Sequence, residues 1–175
     1  SHAGKGRNSS FEWAVSAAAS IALHFVDANF RIDLFDADGT MVTADRQAAA
    51  TVTRQQIVNV MTEVQLSGRT ALDRTVDHAM IAQRGQLMLA VTGRLSPRDV
   101  DLLLTAQRNR SRCFALVVDA DTFTVRSERS SPQEYDDHRA AISMLRNHGW
   151  RVVEVSHGTE LSDAWSDLDR MGELV

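Results

Sequence analysis

Along this chain, short continuous apolar runs alternate with longer stretches in which apolar positions recur every three or four residues. The first long stretch is Ala-rich and amphipathic, and Ser9 and Glu12 stand before it in capping-box spacing. That pattern predicts a helix over residues 10–28, closed by Asn29. Phe30, Ile32 and Leu34 then alternate with Arg31 and Asp33, the period of a half-buried strand, and Asp38-Gly39 turns the chain into residues 40–43. A hairpin near a sheet edge is expected there. The polar, Ala-rich residues 44–52 read as a loop. Thr53 and Gln56 open a second helix whose Ile57, Val60, Met61 and Val64 share one face. After the break at Ser67-Gly68, a third helix is expected over 71–83, with Leu72, Val76, Ala79 and Met80 on its buried side.

The carboxyl-terminal half has a different rhythm. Residues 86–92 and 112–118 are nearly unbroken apolar runs, the kind found in parallel strands covered on both faces. Ser96-Pro97-Arg98-Asp99 starts a helix running to about residue 109, with proline where its missing N–H is harmless. Ser131-Pro132-Gln133-Glu134 caps another helix, which Asn147-His148-Gly149 ends; residues 150–155 form the last strand, before a short helix over 160–170. The Ser- and Thr-rich residues 120–131 read as a mobile loop. Buried strands alternating with helices predict an α/β fold with a doubly wound, mostly parallel, Rossmann-like sheet.

Composition narrows the function classes. At 175 residues the chain suits one α/β domain over 1–175, with residues 1–8 as a flexible leader. A net charge of −4 gives no basic face for a phosphate backbone, so nucleic acid is not the expected partner. The longest apolar run, 14–26, is broken by Ser16, Ser20 and His24 and falls short of the roughly 20 apolar residues of a membrane span. Cys113 is the single cysteine and lies inside the apolar run 112–118, where it reads as a small core hydrophobe and fits a reducing compartment.

Candidate chemistry is sparse. Leu34-Phe35-Asp36-Ala37-Asp38-Gly39-Thr40 resembles the Asp-x-Asp-Gly-Thr motif of haloacid dehalogenase-type phosphatases, in which Asp36 would attack phosphorus, Asp38 would shuttle the proton and magnesium would screen both charges. Three features oppose it. Arg31 and Asp33 make the preceding strand half-exposed rather than central; the only lysine, Lys5, lies in the leader; and Asp119 and Asp121 lack the spacing of the remaining metal ligands. A hairpin turn explains residues 36–39 more simply. Asp119 and Asp121 follow the end of a buried strand, where open α/β sheets place their ligands, and they equally suit turn caps. Arg108, Arg110 and Arg112 form a local basic cluster suited to complementing a helix dipole. His24, His78, His138, His148 and His157 show no metal-ligand spacing.

Ser67-Gly68-Arg69-Thr70-Ala71-Leu72, followed by an apolar strand stopping at Thr92-Gly93-Arg94, resembles the middle of a von Willebrand factor A-type domain. Such domains carry a Gly-x-Thr-x-Leu turn and a strand ending Thr-Asp-Gly, and the threonine and aspartate help hold magnesium. Thr70 matches the threonine, and Gly93 stands where the aspartate belongs. Over nearly the whole chain, the segments Ser9–Ser20, Thr92–Pro97 and Gly149–Val155 look like the carboxy-terminal portion of the actinobacterial branch of domain-of-unknown-function family fifty-eight. The resemblance implies a fragment of a larger membrane-anchored protein, on the cytoplasmic side of the membrane, acting as a non-enzymatic protein-interaction module beside a MoxR-type AAA+ ATPase. It also implies that the first, central strand lies upstream, leaving sheet edges to be repaired by altered pairing or by a second copy. The metal site would then be degenerate: no cofactor is expected of this chain, and magnesium only if that upstream strand supplies ligands. Function is expected on a binding face around Arg69, Thr70, Thr92, Arg94, Asp119 and Asp121.

Overall fold

The computed structural model describes residues 9–30, 32–35, 50–63, 87–107, 112–124 and 130–170. Internal contacts divide the chain into two compact units, residues 1–14 with 84–175, and residues 15–83. The expected leader 1–8, the turn over 36–43, the segment 67–72 and the helix over 71–83 lie outside the described residues.

The larger unit is built on a three-stranded, all-parallel sheet. Its strands are β1 (Leu87–Thr92), β2 (Arg112–Val118) and β3 (Arg151–Val155), and their spatial order is β1-β2-β3. Leu87 pairs with Arg112 and Thr92 with Val117; Phe114 pairs with Arg151 and Val118 with Val155. The carboxyl ends of all three strands therefore meet along one rim. Cys113 to Val118 are all buried, so β2 has helices or loops on both faces, as its unbroken apolar run predicts. Cys113 is one of these core residues and is a free thiol. β1 is equally apolar, yet each of its six residues stays half-buried. Among the described strands β1 and β3 are the two outer ones, and β3 nevertheless buries Val152, Val153 and Val155, so β1 is the less covered of the two.

Helices α3 (Pro97–Gln107) and α4 (Pro132–Asn147) supply the two crossovers. Right-handed crossovers between sequential parallel strands place both connecting helices on one face of the sheet, and α3 and α4 do touch. Val100, Leu103 and Ala106 of α3 are buried, and His138, Ala141, Ile142 and Leu145 form the buried stripe of α4 at helical spacing. The last helix, α5 (Leu161–Arg170), packs on β3 and buries Ala164 and Leu168.

Capping residues fix the helix ends as the sequence predicts. Ser131 Oγ accepts from the Glu134 N–H while the Glu134 carboxylate accepts from the Ser131 N–H at 2.8 Å, a complete capping box with Pro132 at the first helical position. Ser131→Ala should cost about 1 kcal/mol, read as a lowered urea midpoint of the larger unit; an unchanged midpoint would show that α4 does not depend on its cap. At the other end Gly149 takes φ +85, and Trp150 N–H closes on Leu145 C=O at 3.1 Å. The buried Trp150 indole donates to Gln107 Oε1 at 2.9 Å, and Gln107 donates to His148 C=O, tying the end of α3 to the end of α4.

The smaller unit holds most of α1 (Ser10–Asp27) and all of α2 (Ala50–Glu63). Ser9 Oγ accepts the Glu12 N–H at 3.2 Å, and Asn29, at φ 66, ends the helix as expected. Ala22, Val26 and Ile57 form a small core, against which Leu23, Ile32, Leu34 and Met61 pack. Three expectations shift here. Helix α2 begins at Ala50, inside the predicted loop, because the Ala-rich segment prefers helix. Gln56 consequently sits a full turn inside the helix, with its buried Oε1 lacking a hydrogen-bond partner. The expected strand over 30–35 shows a single bridge at Phe35; Phe30 is 49% exposed and rests edge-on against Phe25 instead.

Candidate functional site

The carboxyl rim of the parallel sheet gathers the polar side chains of the larger unit. Each strand ends by handing the chain to a turn whose first residues face that rim, the usual ligand side of an open α/β sheet. At the end of β1 come Thr92, Gly93 and Arg94; after β2 come Asp119 and Asp121; after β3 come Ser156 and His157.

Asp121 is the hub. Its Oδ1 accepts from Arg94 Nη2 at 2.6 Å, from Ser130 Oγ at 2.8 Å and from Ser130 N–H at 3.0 Å. Arg94 and Asp121 side chains are only 18% and 15% exposed, so water screens the pair weakly. Arg94 Nη1 also lies 3.9 Å from Glu134 Oε1, which links the end of β1 to the start of α4. Burial raises the Asp121 pKa, but the two Ser130 bonds and the Arg94 charge outweigh it, and the carboxyl is held below its ordinary value. Glu134 is likewise held low, chiefly by the N–H and hydroxyl of Ser131.

Asp119 does a different job. Its backbone N–H extends the ladder to Val155 C=O at 2.8 Å, and its Oδ1 accepts from Asp121 N–H at 3.1 Å. This Asx turn starts a 3-10 helix over Ala120–Phe123, so the predicted mobile loop opens with ordered structure. Thr122 Oγ1 donates to Asp119 C=O at 2.7 Å and accepts from His157 N–H at 2.8 Å, joining the turns after β2 and β3. Phe123 and His157 stack edge to face at 5.3 Å.

Thr92 Oγ1 is buried with no hydrogen-bond partner. Three residues on, the turn is pinned from behind: the Leu95 N–H donates to Nδ1 of the buried His138 at 3.1 Å. Ser96 and Asp99 bond each other at 2.7 Å and cap α3.

Of the residues singled out from the sequence, Arg94, Asp119 and Asp121 are brought together, with Thr92 at the same rim. Arg69 and Thr70 lie outside the described residues, as do Asp36, Asp38, Arg108 and Arg110. Arg112 begins β2 at the opposite, amino end of the sheet. Among the described residues no three His, Cys, Asp or Glu side chains gather as a metal-holding group. No described helix is long and apolar enough to cross a membrane. Sequence reasoning missed Ser130, Glu134 and His138 as members of the rim. Only His138 left a trace, as a polar residue in the buried stripe of α4.

No family model, curated protein or solved structure matches the chain.

Proposed function

We propose that this chain is a non-catalytic, A-like binding module that presents the carboxyl rim of its parallel sheet to a protein partner. The observation that supports this reading is the Arg94–Asp121–Ser130 network. Its charged groups are held by one another in a fixed, partly buried array, which suits a preorganised recognition surface. The A-like assignment and the partner rest on the family resemblance: a MoxR-type AAA+ ATPase within a membrane-associated assembly, with this chain on the cytoplasmic side. Magnesium enters this reading only through ligands supplied from upstream, and a second copy of the chain is the proposed cover for the half-exposed edge of β1.

Calorimetric titration of the chain with a MoxR-type ATPase from the same genome tests the proposal. Binding is expected, and Arg94→Gln should weaken it about tenfold or more, as removal of a charged central contact does. Arg112→Gln, at the opposite end of the sheet, should leave it unchanged. Equal losses in both variants, or no binding by the unaltered chain, would refute the rim as the docking surface. Turnover of a generic aryl phosphate that vanishes in Asp36→Asn would instead favour phosphatase chemistry.

A further inference from the structure

His138 is a buried histidine whose hydrogen bond fixes its protonation state. It lies in the second turn of α4, 6% exposed, and opens the inward stripe continued by Ala141, Ile142 and Leu145. Its Nδ1 accepts the Leu95 backbone N–H at 3.1 Å in a buried hydrogen bond. A ring nitrogen that accepts carries no proton, so the neutral ring holds its proton on Nε2. Protonating Nδ1 would set two donors face to face and leave the Leu95 N–H buried without an acceptor.

Leu95 lies in the turn between β1 and α3, directly after Arg94. Its N–H donates to an imidazole, the side-chain type whose ordinary pKa lies closest to neutrality. We propose that His138 is a pH-sensitive latch on this turn: neutral, it holds the Leu95 amide and with it the position of Arg94; protonated, it releases both.

Burial, more than the charges around the ring, favours the neutral, latched form at neutral pH. Burial is the largest influence and pushes the His138 pKa down; Asp119 from the end of β2 pulls it up, Arg94 from the turn pushes it down, and Glu154 from β3 pulls it up. Asp99, at the start of α3, is bonded to Ser96. On α4 itself, Glu134 is bonded to Ser131 and lies near Arg94. A base whose folded pKa is depressed stabilises the fold above its unfolded value of about 6.5. That contribution declines as the pH falls from there through the folded value, so release belongs on the acidic side of neutrality.

Amide hydrogen exchange on the full chain, followed by NMR from pH 8 to pH 5, tests the latch. The Leu95 protection factor should fall about tenfold or more as His138 titrates, while the Leu116 amide in β2 stays protected. In His138→Asn, where Oδ1 takes the place of Nδ1 as a non-titrating acceptor, Leu95 protection should be flat with pH. Unchanged protection in the unaltered chain, an equal fall at Leu116, or the same fall in His138→Asn would each overturn the proposal. Should the asparagine variant not fold, the ring nitrogen shifts of the unaltered protein decide: the Nε2–H tautomer at pH 8 supports the latch, and the Nδ1–H tautomer overturns it.

Discussion

Phe114→Ala should destabilise the larger unit by about 3–5 kcal/mol, the range for truncating a fully buried aromatic residue in a close-packed core. Phe114 sits at 0% exposure in the central strand β2, and the Arg151 guanidinium from β3 lies 5.4 Å from its ring centroid. Alanine would leave a cavity in a core whose other members are themselves locked, since Leu103, Leu116 and Leu145 are nearly or wholly inaccessible. Such a loss takes about a third or more of the stability of an ordinary domain. Urea titration followed by tryptophan fluorescence reads it, because Trp13, Trp150 and Trp165 all belong to the larger unit. A shift below about 1 kcal/mol would mean that β2 is not the packed centre described here.

Arg94→Ala should cost about 1–2 kcal/mol at pH 7, more than an exposed ion pair and less than a fully buried one. Asp121 would lose its only cation at hydrogen-bond distance among the described residues but keep both Ser130 donors. Its carboxyl pKa should therefore climb back toward the ordinary value. The direction with pH follows from that depression. A carboxylate with a lowered folded pKa contributes its stability above the unfolded value near 3.9 and loses it as the pH falls through the folded one. The gap between Arg94→Ala and the unaltered protein should thus close below about pH 4. A double-mutant cycle with Asp121→Asn isolates the pair. A coupling near zero at pH 7, or a gap that persists in acid, would contradict it.

The parts of this architecture that local chemistry dictates were legible in the sequence. Ser131, Pro132 and Glu134 announce the start of α4, Gly149 its end, and the run Cys113–Val118 a strand covered on both faces, all as observed. The parts that depend on which strands become neighbours were not. Leu87–Thr92 carries the same apolar signal as β2, yet it stays half-buried throughout while β3, the other outer described strand, buries Val152, Val153 and Val155; how well a strand is covered depends on its neighbours, which no residue in the run encodes. Asp121 could be placed near the rim from strand order alone, whereas its bond to Arg94, 27 residues away, depends on the parallel register. The Leu95–His138 bond spans 43 residues and joins a backbone amide to a side chain, a pairing for which the sequence has no spacing rule. Even so, a histidine set in step with Ala141, Ile142 and Leu145 is a sign of burial in its own right, and burial of a polar ring demands a partner.

The three described strands lie in space in the same order as they occur in the chain. During synthesis β1, then β2, then β3 leaves the ribosome, and each can add to the growing edge without any strand being threaded between two already paired. Parallel pairing over long crossovers is intrinsically slow. Here that slowness is confined to closing two crossovers in turn, so the larger unit can assemble from its amino to its carboxyl side as a one-way zipper.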